Sequence, residues 1–315
     1  MAFDPARGGC RARQELGAAA CWRGLARTLT ARGASGASEL NLPFDPNVYL
    51  GPFQLAWHGI FTAVGIFFGV WLPVRLLRGR VAEDALYAVA TPAVIGGIIG
   101  ARIFHVVDCW TLCGYDTNPL LIPQIWTGGI AIMGAVVVGT ITGYFIAVRR
   151  GDIPIGAGAD AAATGIGLGM AIGRIGDIIN GEHHAVPCGA PGICVTYDNP
   201  DSLGQGPAFG PADPRYSADP VHLAVGYEML WDLAGVALAL LLRRRFAGRP
   251  PEGRIFWIWL AFQSLGRFLI SFLRVDKVDL LGLYQAQLVS LVLIALAIPI
   301  LVTLFRMARR APATA

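Results

Sequence analysis

Four arginines, Arg102, Arg174, Arg267 and Arg274, lie within or at the ends of long apolar runs. On the insertion scale a centrally placed arginine facing lipid costs about 2.5–3.5 kcal/mol. Four such residues are therefore expected to face a bundle interior, a wet cavity or the membrane interface. Snorkelling or a structural ion pair is the competing reading, strongest for Arg102 and Arg274 near the ends of their runs. Guanidinium stays charged and presents a planar fork of donors, which suits a phosphate better than an ammonium does. Around Arg174 runs Gly173-Arg174-Ile175-Gly176-Asp177-Ile178-Ile179-Asn180-Gly181-Glu182. The glycines there permit close approach of a neighbour or a ligand. His58 and His105, also in apolar runs, are candidate proton carriers, with hydrogen-bonded packing as the alternative. His183 and His184 read as solvated loop residues. Together these residue types point to an anionic lipid headgroup.

The elements that must position these groups are membrane spans. Of 315 residues, 55% are hydrophobic and 15% charged, whereas a soluble domain carries about a quarter charged residues. Apolar runs near 57–74, 85–107, 128–148, 155–175, 221–242, 255–273 and 283–305 approach or exceed the roughly 20 residues a bilayer requires. Lipid-exposed backbone must satisfy itself, so they are expected to be helices, and the alternation of an outer-membrane barrel is absent. Net charge is +4, without a cluster that would suit nucleic acid.

Basic residues follow the first run (Arg75, Arg78, Arg80), the third (Arg149, Arg150), the fifth (Arg243, Arg244, Arg245, Arg249) and the seventh (Arg306, Arg309, Arg310). The positive-inside rule then predicts an all-α polytopic protein of a bacterial inner membrane. It has seven transmembrane helices, the N-terminus outside and the C-terminus cytoplasmic. The expected organisation is a disordered N-terminal tail over 1–45, a membrane domain over 46–306 and a cytoplasmic tail over 307–315. Residues 177–220 form a small extracytoplasmic cap between spans 4 and 5. Cys188 and Cys194 in the cap, and Cys109 and Cys113 in the shorter outer loop, fall on the oxidising side and are expected to pair. Their spacing is not a zinc signature, and no metal or cofactor is expected. No internal repeat supports an inverted-repeat transporter.

The segment from Gly173 to Glu182 resembles the signature of the prolipoprotein diacylglyceryl transferase family, with Gly173, Arg174, Gly176, Asn180 and Glu182 matching. Asp177 stands where that family usually has Asn, and Ala185 where Gly is usual. The resemblance continues in order along the chain. Trp57-His58-Gly59 is similar to a Trp-Tyr-Gly segment, and Ala101 to Val106 to the end of the second span. Gly128, Gly129 and Gly134 follow, with Met133 in place of a His. His222, Tyr227 and Glu228 come next, with Leu223 replacing Pro. Arg267, Phe268, Arg274 and Asp276 lie on the sixth span, with Ser271 replacing a Glu and Gln263 a Tyr. Gln287 and Ser290 open the seventh.

The resemblance implies transfer of a diacylglyceryl group from phosphatidylglycerol to the lipobox cysteine of a prolipoprotein signal peptide, leaving a thioether. Arg174, Arg267, His58 and His105 are the expected catalytic residues. Arg102, Gly129, Asp177, Asn180, Glu182, Tyr227, Glu228 and Arg274 are expected to bind substrate. The expected partners are phosphatidylglycerol, the prolipoprotein and membrane lipid. A non-catalytic relative that binds phospholipid or lipoprotein is the alternative that Met133, His58 and Asp177 keep open, and an anion or lipid transporter the more remote one.

Overall fold

The computed structural model describes residues 38–51, 53–111, 113–124, 129, 131–181, 185–186, 188, 192–197, 199, 220–274, 278–280 and 282–310. The apolar runs become seven long helices: α1 Trp57–Leu77, α2 Glu83–Asp108, α3 Ile132–Arg150, α4 Ile155–Asn180, α5 Ala224–Phe246, α6 Arg254–Ile270 and α7 Gln285–Arg310. Among the described residues, six of these are long and apolar enough to cross a membrane: α1, α2, α4, α5, α6 with its 3-10 extension to Leu273, and α7. The protein is thus a mostly helical, multi-pass membrane protein.

The burial pattern is that of a bundle in lipid. Large apolar side chains such as Phe67, Val107, Ile141, Leu241 and Val292 point outward. The buried face of α4 instead holds small and polar residues, among them Ala161, Ala163, Thr164, Gly167, Ala171, Asp177 and Asn180. Lipid tails are as apolar as leucine, so such helices associate through close backbone packing at small residues. α1 packs chiefly on α4, and α2 on α3. At the α1–α4 crossing an added Cβ on Gly65 would lie 2.6 Å from the Gly169 carbonyl oxygen, and one on Gly165 2.1 Å from that of Gly69. α5 and α6 close on the other side of α4, and α7 lies against α6.

One end of the bundle is tied by arginines and acids. Arg80 forms a two-point ion pair with Glu252. Arg243 donates to the carbonyl of Leu76 at the end of α1. Asp160 of α4 accepts from the backbone N–H groups of Gly253 and Phe256, both at 2.9 Å, and so caps the start of α6 from a neighbouring helix.

The other end carries short strands. β1 Ser38–Leu42 pairs in parallel with β4 Ile193–Tyr197, and β4 pairs antiparallel with β5 Val221–His222. β2 Asn47–Leu50 and β3 Phe53–Ala56 form a hairpin that leads into α1, and β6 Val278–Leu280 pairs with β7 Leu283–Tyr284 before α7. Disulfides join Cys109 to Cys113 and Cys188 to Cys194.

Several expected boundaries move. Residues 38–42, expected above to belong to a disordered tail, form β1, because the edge of β4 offers its unpaired backbone groups a partner. Residues 1–37 lie outside the described set. The cap begins after Asn180 rather than at 177: α4 runs on until Gly181 adopts φ +66° at its C-cap, a conformation glycine takes without steric cost. α3 begins at Ile132 rather than 128, and residues 221 and 222 are strand rather than helix.

Candidate functional site

α4, α5 and α6 bring their charged residues to the end of the bundle that carries the strands. Glu228, one turn into α5, is 4% exposed. Its carboxylate is the meeting point of three guanidinium groups. Arg174 Nη2 lies 2.8 Å from Oε2, Arg267 Nη1 donates to Oε1, and Arg274 Nη1 lies 3.4 Å from Oε1. Arg174 spans two acids, since its Nη1 donates to Asp177 Oδ2 at 2.9 Å, one helical turn away. The other Asp177 oxygen, Oδ1, lies 2.5 Å from His58 Nδ1 at the start of α1.

Gly176 makes the last contact possible. A Cβ there would stand 2.7 Å from His58 Cα, whereas one on Gly173 would meet nothing within 4 Å. The two glycines of the signature therefore differ: one admits α1, the other leaves open space beside Arg174. Positions 58 and 177, both departures from the family pattern, are in direct contact.

Among the described residues, Arg174, Arg267 and Arg274 all pair directly with Glu228, and Arg174 pairs with Asp177 as well. In a low-dielectric setting guanidinium groups held this way attract an anion far more strongly than they would in water.

One turn deeper on the same faces of α5 and α6, Gln263 Nε2 donates to Asp232 Oδ1 at 2.6 Å. Asp232 is a site residue that the sequence reading missed. Its spacing of four residues from Glu228 was the available signal. Ser271 is fully buried and donates to the Arg267 carbonyl at 2.6 Å. Asn180 is buried at the end of α4.

A second group forms where α2 meets the loop between α2 and α3. Arg102, 6% exposed, donates through Nε to the carbonyl of Ile122 (2.7 Å), through Nη1 to that of Gly129 (2.8 Å) and through Nη2 to that of Leu121 (2.6 Å). Its guanidinium also lies over the Tyr115 ring. This arginine binds the α2–α3 loop to α2. His105 belongs to the same group: its Nε2 lies 3.8 Å from Cys113 Sγ. Gly129 sits against it with φ +74°, and a Cβ there would be 2.5 Å from His105 Nε2. Both the dihedral and the space demand glycine at 129.

Tyr227, expected to bind substrate, is tied to β4. Its hydroxyl accepts from the N–H of Ile193 at 2.7 Å and faces that residue's carbonyl. Ala185, buried, bridges to Arg274. Tyr197 donates to the Ile178 carbonyl, and burial, with the Asp177 charge second, pushes its phenol up to about 12. Glu182, His183, His184, Asp276 and the side chain of Met133 lie outside the described residues.

Residues 47–303 match the family model described as prolipoprotein diacylglyceryl transferase. A phosphatidylglycerol–prolipoprotein diacylglyceryl transferase of Staphylococcus carnosus is 36% identical over 261 residues, covering 82% of this chain and 90% of the relative. Proteins of the same description from Dehalococcoides mccartyi and Bacillus velezensis are 34% and 35% identical, covering 83% and 84% of this chain and 93% and 94% of their own lengths. With matches of that extent, running from before α1 into α7, the chain belongs to the prolipoprotein diacylglyceryl transferase family.

Proposed function

We propose that the protein transfers the diacylglyceryl group of phosphatidylglycerol to the lipobox cysteine thiol of a prolipoprotein. The observation that carries this reading is the convergence of Arg174, Arg267 and Arg274 on the buried Glu228. A phosphodiester headgroup carries one negative charge, and its leaving phosphate gains another in the transition state. Donors already held in place by Glu228 and Asp177 meet that charge without reorganising, which is the largest single contribution such a site makes. Arg267 is the most exposed of the three arginines, with 30% of its side chain accessible against 13% for Arg174 and 7% for Arg274. It is the arm that reaches the lipid, while Arg174 and Arg274 fix the field behind it.

In this reaction the cysteine sulfur bonds to the glycerol carbon that carries the phosphate. The carbon–oxygen bond breaks with its electron pair on oxygen, glycerol phosphate departs, and the thiol proton passes to a base.

The orientation proposed with this function is seven spans in the bacterial plasma membrane, α3 included, with the N-terminus outside. In support, the arginine-rich ends of α1, α3, α5 and α7 share one side by sequence alternation, and Arg80, Glu252 and Arg243 bind that end together. Both disulfides then lie on the oxidising side. The lipid enters laterally and the signal peptide from the membrane plane.

The test is transfer of labelled diacylglyceryl from phosphatidylglycerol vesicles to a lipobox peptide by the purified protein, paired with restoration of lipoprotein processing in cells depleted of their own transferase. Transfer in both supports the reading. Phospholipid binding without transfer in either assay refutes it in favour of a binding-only relative.

A further inference from the structure

We infer that His58 and Asp177 form a dyad that removes the proton from the incoming thiol, with His58 as the base and Asp177 as its positioning residue. The inference rests on the transfer reaction proposed above and assigns its proton.

The geometry favours His58 over the other described histidines. Asp177 Oδ1 lies 2.5 Å from His58 Nδ1. The carboxylate is 7% exposed, and Arg174 holds its second oxygen at 2.9 Å. An ionised carboxylate only accepts, so Nδ1 carries the hydrogen and the lone pair resides on Nε2. The orientation of a base by a buried acid follows the logic of hydrolase triads. The His58 side chain is 30% exposed, enough for a thiol to approach.

His105 is placed differently: Gly129 and Cys113 pack against its Nε2. His222 sits in the cap with its Nδ1 beside Cys188 Sγ at 3.9 Å. Among the described histidines, only His58 shares a carboxylate with an arginine of the Glu228 cluster, since Asp177 links it directly to Arg174. Base and anion site are thereby held at a fixed separation by one side chain.

The proton and electron movements balance within this arrangement. The thiol proton moves to His58 Nε2 as sulfur bonds to the glycerol carbon. The electron pair of the breaking carbon–oxygen bond goes to the phosphate oxygen facing the arginines. The imidazolium then returns its proton to the departing phosphate or to water, which resets the dyad.

The decisive experiment compares two lipobox peptides, one with cysteine and one with selenocysteine, under the same mild reductant and with the full-length protein in phosphatidylglycerol vesicles. A selenol is ionised at neutral pH and needs no base. His58→Phe is expected to lose about 100-fold or more in transfer to the thiol, yet to stay within about threefold of the parent on the selenol. Asp177→Asn follows the same pattern with a loss of about tenfold or more on the thiol. His58→Gln replaces the Phe variant if that one does not fold. Equal losses on both peptides would mean that the pair is structural, and near-parental thiol transfer by His58→Phe would put the base elsewhere. Either outcome overturns the dyad. Arg174→Ala serves as the separate control and is expected to lose both reactions. Full activity on both peptides in that variant would overturn the proposed reaction itself.

Discussion

Replacing Arg174 by lysine isolates what the guanidinium fork contributes. Arg174 reaches two acids at once, Asp177 Oδ2 at 2.9 Å and Glu228 Oε2 at 2.8 Å. A lysine keeps the charge, but its single nitrogen cannot occupy both positions. One charge-assisted hydrogen bond to a buried carboxylate is lost, which is about 1.5–3 kcal/mol. If that loss falls entirely on the transition state, the rate drops about 10- to 150-fold at 1.4 kcal/mol per decade. Arg174→Ala loses both ion pairs and leaves Glu228 to Arg267 and Arg274, with an expected loss of about 1000-fold. The assay is single-turnover transfer to a lipobox peptide by purified variants whose melting temperatures match the parent. Near-parental transfer by Arg174→Lys would refute the argument that the two-point contact organises the site. A purely structural ion pair gives another pattern, in which lysine restores the rate and the alanine variant suffers mainly in abundance and melting temperature.

Three further expectations concern the scaffold. Gly176→Ala drives a methyl to 2.7 Å from His58 Cα, so it should cost about 1–3 kcal/mol in stability and lose transfer activity, as read by thermal melting beside the rate assay. Truncation through residue 37 should leave insertion and activity intact. Truncation through Leu42 strips β4 of its parallel partner and should loosen the cap, detectable as faster hydrogen exchange over 193–197. Burial depresses the His222 imidazole below its ordinary range, so the folded cap prefers it neutral. Its contribution to stability is complete above the ordinary histidine value and is lost as pH falls through the lower folded value. Limited proteolysis of the cap should therefore quicken between about pH 7 and pH 5, and His222→Gln should flatten that dependence.

Much of the molecule was legible from local pattern. Arginines in apolar runs, the alternation of basic flanks and the ordered motifs from Trp57 to Ser290 depend on residue type and short spacing alone. Hydrophobic length fixes a span, and charge at its ends fixes its direction, whatever lies beside it. The two expected disulfide pairings followed in the same way, since each closes a short loop between cysteines four and six positions apart.

Partnership was decided only by tertiary structure. His58 and Asp177 are 119 positions apart, and nothing in either neighbourhood announces the other. Their contact depends on α1 crossing α4 at Gly65, Gly69, Gly165 and Gly169, closely enough for Gly176 to touch the start of α1. The same holds for Glu228. The sequence marks it as one acid among several, and the packing of α4, α5 and α6 makes it the shared counter-ion of three arginines. The polar groups of Arg102 and Tyr227 meet the backbone of the α2–α3 loop and of β4, partners that residue type alone does not name. A side chain's chemistry is written in its type, but which partner that chemistry meets depends on helix crossings set by small residues at many separated positions, and those become visible only when the chain is folded.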